Sequence, residues 1–334
     1  MTLSVALLMR APQERSYSIE AVFGTVVAHL PKEIGARVVT SAYQSQGLLP
    51  RLKAIWHARQ ATRGADVIHV SGDTHFLTLL LPGRRTILTV HDCEFIDRAR
   101  GLKRFILWFF WLRLPVWRVA AITAVSEESR AQLLRWINID PSRVEVIENP
   151  LSKPLVRDDR PFSADRPRLL MIGSGPHKNI ERVAMAVTGL HVVLEVIGCI
   201  DTDRLSRLRA GGLTVETCHD LSDDELAQAY ARADIVMFPS LSEGFGLPIL
   251  EAQAVGRTVV TSNRAPMSGV AGGGALLVNP EDMAEIRTAV ERLMAEPELR
   301  ARLVEIGFEN MKQYTPAAAA ERYAALWQRV AKAA

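Results

Sequence analysis

The feature that most restricts the fold of this chain is a regular alternation of short apolar runs with longer helical patterns. In the first half, six apolar runs fit buried strands, at residues 3–9, 37–42, 66–70, 86–90, 121–125 and 144–147. Helical patterns lie between some of these runs, at residues 18–30, 101–118 and 127–137. Strands that are apolar throughout and separated by helices predict a parallel sheet covered on both faces.

A proline-rich segment at residues 149–167 then interrupts the alternation, which is typical of a linker. The alternation resumes with six further strand candidates, at residues 169–172, 192–197, 213–217, 235–238, 258–261 and 275–278. The 334 residues suffice for two domains that each bury a core. We therefore predict two doubly wound, Rossmann-like α/β domains that face a central cleft.

The predicted boundaries follow from that break. The N-terminal domain spans residues 1–152, the linker 153–166 and the C-terminal domain 167–314. A final helix at residues 315–334 is expected to pack back toward the N-terminal domain. Capping patterns predict helix starts in the second half, with Ser222 and Glu225 as a capping box and with Asn279-Pro280 and Thr315-Pro316 as caps before first-turn prolines.

Composition and charge limit the classes of protein to consider. The first 155 residues carry 20 basic and 13 acidic residues, so this half is the better candidate for meeting an anionic surface. Three widely spaced cysteines argue against a disulfide framework or a zinc site and fit a reducing compartment. The apolar start has no preceding basic residue and indicates a first strand instead of a secretion signal. The sequence thus favours a cytosolic globular protein.

The most informative stretch for chemistry is residues 238–256, FPSLSEGFGLPILEAQAVG. Gly244 and Gly246 allow close approach of the backbone to a ligand, just before a helix whose first amides would point outward. This arrangement suits a diphosphate or the hydroxyls of a sugar. Glu243 and Glu251 are eight positions apart, so that one carboxylate could reach a sugar ring and the other a ribose diol.

These two glutamates resemble the glutamate–seven residues–glutamate motif of the retaining glycosyltransferases of family 4. Five further segments are similar to the same family, in order along the chain: TILTVHD at 86–92, ITAVSE at 122–127, VIENPL at 146–151, GSGPHKN at 173–179 and LSDDEL at 221–226. The resemblance is to members from bacterial polysaccharide gene clusters. It implies the type B fold of two Rossmann-like domains, transfer from a nucleotide sugar with retention of configuration, and neither a cofactor nor a required metal ion.

The resemblance also implies roles for individual residues. Glu251 would bind the donor ribose, Glu243 the transferred sugar and Lys178 the diphosphate, with His91 contacting the transferred sugar near the reacting centre. The donor would also be bound by Gly173, His177 and the loop residues Gly244, Phe245, Gly246 and Leu247. Family members commonly place a second cation near Lys178, so His177, Arg168 or Arg264 is expected to fill that role here.

Other polar residues follow the strands of the first half and are candidates for lining the same site. Asp73, His75 and Asp92 end predicted strands, where the ligand sites of parallel sheets lie. These residues and His91 could formally bind a metal ion, but their spacing does not favour one, and no metal site is predicted. After the first strand, Ser16 or Ser18 would meet the acceptor or the phosphates, two alternatives that the sequence leaves open.

Residues 98–118, RARGLKRFILWFFWLRLPVWR, combine an apolar run with six bases and contain no acid. We expect this segment to dock on an anionic membrane surface, since tryptophan and basic residues suit the headgroup boundary. A buried core helix is the alternative. The predicted function is transfer of a hexose, GDP-mannose being the favoured donor, to a saccharide or lipid-linked acceptor in cell-surface polysaccharide synthesis, at the cytoplasmic face of the membrane. A sugar-nucleotide epimerase or a non-catalytic nucleotide-sugar-binding subunit is the alternative.

Overall fold

The computed structural model describes residues 2–11, 18–43 and 47–334, except for the side chain of Ser18. The chain divides into two compact units. Unit 1 comprises Met1–Ser152 together with Tyr314–Ala334, and unit 2 comprises Lys153–Gln313.

The centre of unit 1 is a six-stranded sheet in which every pair of neighbouring strands is parallel. Its spatial order is β2-β1-β3-β4-β5-β6. The strands are β1 (Leu3–Met9), β2 (Ile34–Thr40), β3 (Val67–Val70), β4 (Thr86–Val90), β5 (Ala121–Ala124) and β6 (Val144–Val146).

Helices cover this sheet. They are α1 (Ser18–Ala28), α2 (Leu48–Ala61), α3 (Glu94–Asp97), α4 (Gly101–Leu107), α5 (Leu114–Arg118) and α6 (Glu127–Trp136), and α14 (Pro316–Ala333) joins them from the end of the chain. One π-helical turn, Trp108–Arg113, connects α4 directly to α5, and a 3₁₀ helix spans His75–Leu80. β3 and β4 have no exposed residue, which is why their sequences are mainly apolar and do not alternate between apolar and charged residues.

The last helix of unit 1 is anchored by a buried polar group. Trp327 of α14 donates a hydrogen bond from Nε1 to Nδ1 of His69, 3.2 Å away. The other ring nitrogen of His69 lies 2.7 Å from the hydroxyl of Thr89. Burial lowers the pKa of His69 to about 3, so the ring is neutral and can accept at Nδ1 while it donates at Nε2. This bond attaches α14 to the middle of the sheet.

Unit 2 contains a second six-stranded, all-parallel sheet, of order β12-β11-β10-β7-β8-β9. Its strands are β7 (Arg168–Ile172), β8 (Val193–Ile197), β9 (Thr214–Cys218), β10 (Ile235–Phe238), β11 (Thr258–Ser262) and β12 (Leu276–Val278). Its helices are α7 (Ile180–Val187), α8 (Thr202–Arg209), α9 (Asp223–Arg232), α10 (Leu247–Val255), α11 (Met267–Val270), α12 (Met283–Ala295) and α13 (Pro297–Met311).

Both sheets have a topological switch point, where the chain changes the direction in which it adds strands. In unit 2 the chain runs from β7 outward to β9, and β10 then pairs with the other side of β7. In unit 1 the same change occurs between β1 and β3. The loops at the carboxyl ends of such strand pairs diverge and leave a crevice in which α/β proteins bind ligands.

The predicted fold class of two doubly wound α/β domains is confirmed. All twelve predicted strands are present: β1, β4 and β10 have the predicted ends, and the others differ by one to three residues. The capping box at Ser222 and Glu225 is confirmed, as is the cap at Thr315. The predicted helix start at Asn279-Pro280 is wrong. α12 begins at Met283, because Asp282 accepts hydrogen bonds from the amides of Ala284 and Glu285.

Candidate active site

The first part of the site in unit 2 is built on α10, which carries Glu251. The helix starts after Gly246, whose φ of 115° is available to glycine without strain, and it ends at Gly256 in the left-handed region. Glu251 is only 6% exposed. Its Oε2 accepts a 2.6 Å hydrogen bond from the hydroxyl of Tyr230 on α9. Burial, and then Glu251, raise the pKa of Tyr230 well above its usual range, so the phenol stays protonated and donates.

The second oxygen of Glu251 faces a lysine. Nζ of Lys153 lies 4.0 Å from Oε1 of Glu251 and 3.5 Å from a carboxylate oxygen of Asp223. The Lys153 side chain is largely buried, at 18% exposure. One oxygen of Glu251 is therefore held by a strong hydrogen bond, whereas the other has only a long-range ion pair and remains able to accept from a ligand.

The second part of the site lies at the switch point, in the loops that follow β7 and β10. Nζ of Lys178 lies 2.6 Å from Oε1 of Glu243 and 4.6 Å from the ring centroid of Phe238. Both charged side chains are mostly buried, at 16% and 13% exposure. The ion pair is therefore partly desolvated. An anionic ligand that binds here would compete with Glu243 for Lys178.

A glycine allows Lys178 to adopt this position. A Cβ built on Gly173 would lie 2.8 Å from Cε of Lys178, and the φ of Gly173 is +90°. Any other residue there would both strain the backbone and crowd the lysine. Gly173 therefore acts on the site through Lys178.

Three loops at this edge of the sheet are joined by hydrogen bonds. The carbonyl of His177 accepts from the amide of Leu241 at 2.8 Å. The side-chain amide of Asn179 donates to the carbonyls of Pro239 at 3.0 Å and Pro280 at 2.6 Å. These bonds fix the loops that carry Lys178 and Glu243 in one arrangement, as a preorganised site requires.

The structure distinguishes the alternatives for a second cation near Lys178. The prediction of Arg168 is wrong, because this residue begins β7, at the opposite end of the strand from Lys178, and pairs with Glu195 and Glu216. Arg264 donates to the carbonyl of Leu241 at 3.3 Å, in the loop that carries Glu243, and pairs with Glu281. Of the three candidates, Arg264 and His177 lie at the same edge of the sheet as Lys178.

In unit 1, His91 follows β4 and lies beside the residue that follows β3. Its Nε2 is 3.3 Å from the hydroxyl of Ser71, and its carbonyl accepts a 2.6 Å hydrogen bond from Ser129. Burial is the main cause that lowers the pKa of His91 to about 3, followed by His75 and Arg10. The imidazole is therefore neutral near pH 7 and can exchange hydrogen bonds with a ligand but cannot supply positive charge.

The other residues predicted near His91 have different environments. His75 is 1% exposed and donates from Nδ1 to the carbonyl of Trp111 at 2.8 Å, which places it inside unit 1. Asp92 accepts a 3.0 Å hydrogen bond from the amide of Glu94. Burial, and then Glu94, raise the pKa of Asp92 to about 6. The Asp73 side chain is exposed after a turn at Gly72.

Two further predicted residues fall at the edge of the described part of the chain. Ser16 lies outside the described residues, and Ser18 begins α1 but its side chain is likewise outside them. Among the described residues, no three His, Cys, Asp or Glu side chains are grouped so that they could hold a metal ion.

Sequence reasoning missed Tyr230, Lys153 and Ser71. Tyr230 is 21 residues from Glu251 and reaches it only because α9 packs beside α10. Lys153 looked like part of a solvated linker, and Ser71 was overlooked beside the aspartate and histidine that follow it. A systematic listing of polar residues at the carboxyl ends of strands would have included Ser71.

Comparison with known families matches both halves of the chain. The model described as Glycosyltransferase Family 4 matches residues 4–152, and the model described as Glycosyl transferases group 1 matches residues 165–296. Together the two models span most of the chain, in the order expected from the resemblance of the sequence motifs.

Individual relatives support the same family. The O-antigen chain mannosyltransferase RfbU of Salmonella typhimurium is 28% identical over 72% of this chain and 70% of its own length. The serotype-specific mannosyltransferase WbdA of Escherichia coli is 38% identical over 84% of this chain, but this match spans only 40% of WbdA. The structure of HepE from Anabaena, in complex with UDP and glucose, covers 98% of this chain and 100% of its own at a TM-score of 0.77 and 15% identity. That likeness shows the same fold over both units. The chain is therefore a glycosyltransferase of family 4.

Proposed function

We propose that this chain is a retaining glycosyltransferase that moves a hexose from a nucleotide-sugar donor to a saccharide or lipid-linked saccharide acceptor in cell-surface polysaccharide synthesis. The observation that carries the proposal is the pair of charged groups at the switch point of unit 2. Lys178 and Glu243 lie 2.6 Å apart in the loops after β7 and β10, the part of an α/β sheet where ligands bind.

The donor would be held by three kinds of contact in unit 2. Oε1 of Glu251 accepts hydrogen bonds from the ribose, while Tyr230 holds the other oxygen. Lys178 pairs with the diphosphate, and Glu243 then turns to the transferred sugar. The backbone of residues 244–247 approaches the sugar and phosphate at the start of α10, where the helix dipole favours an anion.

The family resemblance implies the reaction, and each of these contacts has a role in it. The acceptor hydroxyl attacks the anomeric carbon on the face from which the diphosphate departs, so that configuration is retained. A new glycosidic C–O bond forms, the bond from the anomeric carbon to the phosphate oxygen breaks, and the hydroxyl proton passes to that oxygen. Lys178 stabilises the charge that develops on the diphosphate. Glu243 favours positive character on the sugar ring, and neutral His91 contacts the sugar by a hydrogen bond.

GDP-mannose is the favoured donor. RfbU and WbdA both have names that specify mannose transfer, and this chain is similar to both. HepE was solved with UDP and glucose, so a UDP-hexose is the leading competitor. GDP-fucose and dTDP-rhamnose complete the panel.

The test is release of nucleoside diphosphate from each of these four donors, with and without a polyprenyl-linked saccharide acceptor. A glycosyltransferase releases the diphosphate faster when the acceptor is present and forms a glycoside with unchanged anomeric configuration, which nuclear magnetic resonance reports. Conversion of the donor to an epimer without acceptor would replace the proposal with an epimerase. Donor binding without any turnover would replace it with a binding subunit.

We further propose that residues 98–118 dock unit 1 on an anionic membrane at the cytoplasmic face. Leu112 and Val116 are fully buried, while Leu102 and Phe105 are 74% and 57% exposed, so the segment is amphipathic and lies along the surface of unit 1. Trp108 belongs to the inner face, since it packs against the core and donates to the carbonyl of Trp136 at 3.0 Å. Among the described residues, no helix is long and apolar enough to cross a bilayer.

A further inference from the structure

Helix α2 of unit 1 turns its large apolar side chains outward and its small ones inward. Leu48 and Leu49 are 72% and 70% exposed, and Leu52 and Trp56 are 52% and 59% exposed. The residues that pack against the core are instead the short ones of the helix and one isoleucine: Ala54, Ile55 and Ala58. A surface helix normally buries its large apolar residues. This inversion indicates that the outer face of α2 is covered by something else in the working protein.

The charge of α2 and its neighbouring residues indicates which kind of surface covers the outer face of the helix. No acidic residue occurs from residue 34 to residue 65, whereas Arg51, Lys53, Arg59 and Arg63 are all basic. Lys53 and Arg59 are exposed on the same outer side of the helix as the leucines and Trp56, and Arg63, just beyond the end of the helix, is exposed as well. An apolar face surrounded by bases fits an anionic lipid surface, because the apolar side chains can enter the acyl region while the bases contact the anionic headgroups.

Helix α2 also adjoins residues 98–118. The guanidinium of Arg51 lies 4.6 Å from the ring centroid of Trp111. Both elements rest on the 3₁₀ helix His75–Leu80. Arg59 donates to the carbonyl of Leu80 at 2.8 Å, and the rings of Phe76 and Trp111 are 4.9 Å apart. Leu80 is itself 45% exposed, so apolar surface continues from one element to the other.

We propose that α2 and residues 98–118 form one composite surface that binds the anionic bilayer, with α2 as an independent half of it. This inference rests on the proposed membrane docking and adds a second element to it. Two elements that bind together hold the protein more tightly than either alone, because the second contact forms within an already bound molecule. The acid-free windows at 34–65 and 98–126 then have one common cause.

The experiment is flotation of the full chain with vesicles of equal parts phosphatidylglycerol and phosphatidylcholine. We expect Leu49→Glu with Trp56→Glu to lower the vesicle-bound partition at least about tenfold, because two apolar side chains are lost and two acids are gained. The matched control is Val156→Glu with Met185→Glu, which makes the same change at two exposed apolar residues of unit 2 and should float like the wild type. A second pair, Phe105→Glu with Phe110→Glu, tests residues 98–118 separately.

The outcomes distinguish the proposals. If the α2 variant floats like the wild type while the Phe105/Phe110 variant is released, α2 is not part of the surface but membrane docking stands. If the wild type does not float at low salt, both are overturned. If instead the wild type sediments as a dimer and Leu49→Glu with Trp56→Glu makes it a monomer, the face is a protein interface and the proposal is wrong. Donor turnover with a detergent-dispersed acceptor, measured on the same variants, tests the glycosyltransferase reaction independently, and thermal unfolding checks that each variant folds.

Discussion

The hydroxyl of Tyr230 donates a hydrogen bond to Oε2 of Glu251 at 2.6 Å. One oxygen of this carboxylate is therefore already bonded within the protein, and Oε1 is left to accept from a ligand. The arrangement restricts rotation of the glutamate and directs Oε1 toward the space beside Lys153. Tyr230 is fully buried and contacts no predicted ligand directly. We therefore propose Tyr230 as a positioning residue, whose substitution would separate the effect of the orientation of the carboxylate from the effect of its charge.

We expect Glu251→Ala to weaken donor binding by roughly 1.5–3 kcal/mol, or about 10- to 150-fold, through loss of charge-assisted hydrogen bonds. The same substitution leaves the Tyr230 hydroxyl unpaired, which costs stability as well. Glu251→Gln avoids most of that cost, because the amide oxygen still accepts from Tyr230. Tyr230→Phe should weaken binding by only about fivefold. Isothermal calorimetry measures all three, and equal affinity of wild type and Glu251→Gln for a donor that binds would remove Glu251 from the site.

Because Lys178 and Glu243 form an ion pair, substitutions of the two residues should change the affinity for a nucleoside diphosphate in opposite directions. A diphosphate must compete with Glu243 for Lys178. Glu243→Gln should therefore raise the affinity for the free nucleoside diphosphate by about fivefold, a change of about 1 kcal/mol, while transfer of the sugar falls. Lys178→Met should weaken binding of the same nucleotide. A loss of nucleotide affinity in both variants would show that the two residues work as one fixed unit.

Most of the fold followed from sequence because buried parallel strands have a simple pattern. Residues 86–90 and 235–238 are buried on both faces and carry no charged side chain, so their strands were identified directly. Helix α2 was not predicted, since its large apolar residues lie outside and no inward stripe exists to detect. The resemblance implies that Lys178 and Glu243 bind a donor, but it does not imply that they pair with each other. Their contact depends on the strand order β10-β7, which local sequence does not encode.

We expect His91 to affect turnover but not the pH dependence of turnover. His91→Ala should lower turnover at saturating donor more than it changes donor affinity, because the proposed contact is to the transferred sugar. The pKa of His91 is lowered to about 3, so its imidazole is neutral throughout the range in which activity would be measured. The pH profile of turnover should thus contain no limb that belongs to His91. An acidic limb near pH 6.5 that is absent from His91→Gln would contradict this.

Asp92→Asn should stabilise the protein at neutral pH. The pKa of Asp92 is raised to about 6 in the folded chain, against about 3.9 in an unfolded one. The folded state thus binds this proton more tightly than the unfolded state. Its contribution to stability is complete below pH 4 and is lost as the pH rises through 6. Asparagine cannot ionise, and its side-chain oxygen can still accept from the amide of Glu94, as Oδ1 does now.

The free energy of unfolding of Asp92→Asn should therefore exceed that of the wild type by up to about 3 kcal/mol at pH 8 and by much less at pH 4. Urea unfolding at the two pH values measures it. The buried histidines change the stability of both proteins alike, so the difference isolates Asp92. Asp140→Asn is the control of opposite sign, because hydrogen bonds from Ser142 lower the pKa of Asp140, and it should bring no gain at pH 8. Equal stability of Asp92→Asn and wild type at pH 8 would mean that the folded chain does not penalise the charge on Asp92.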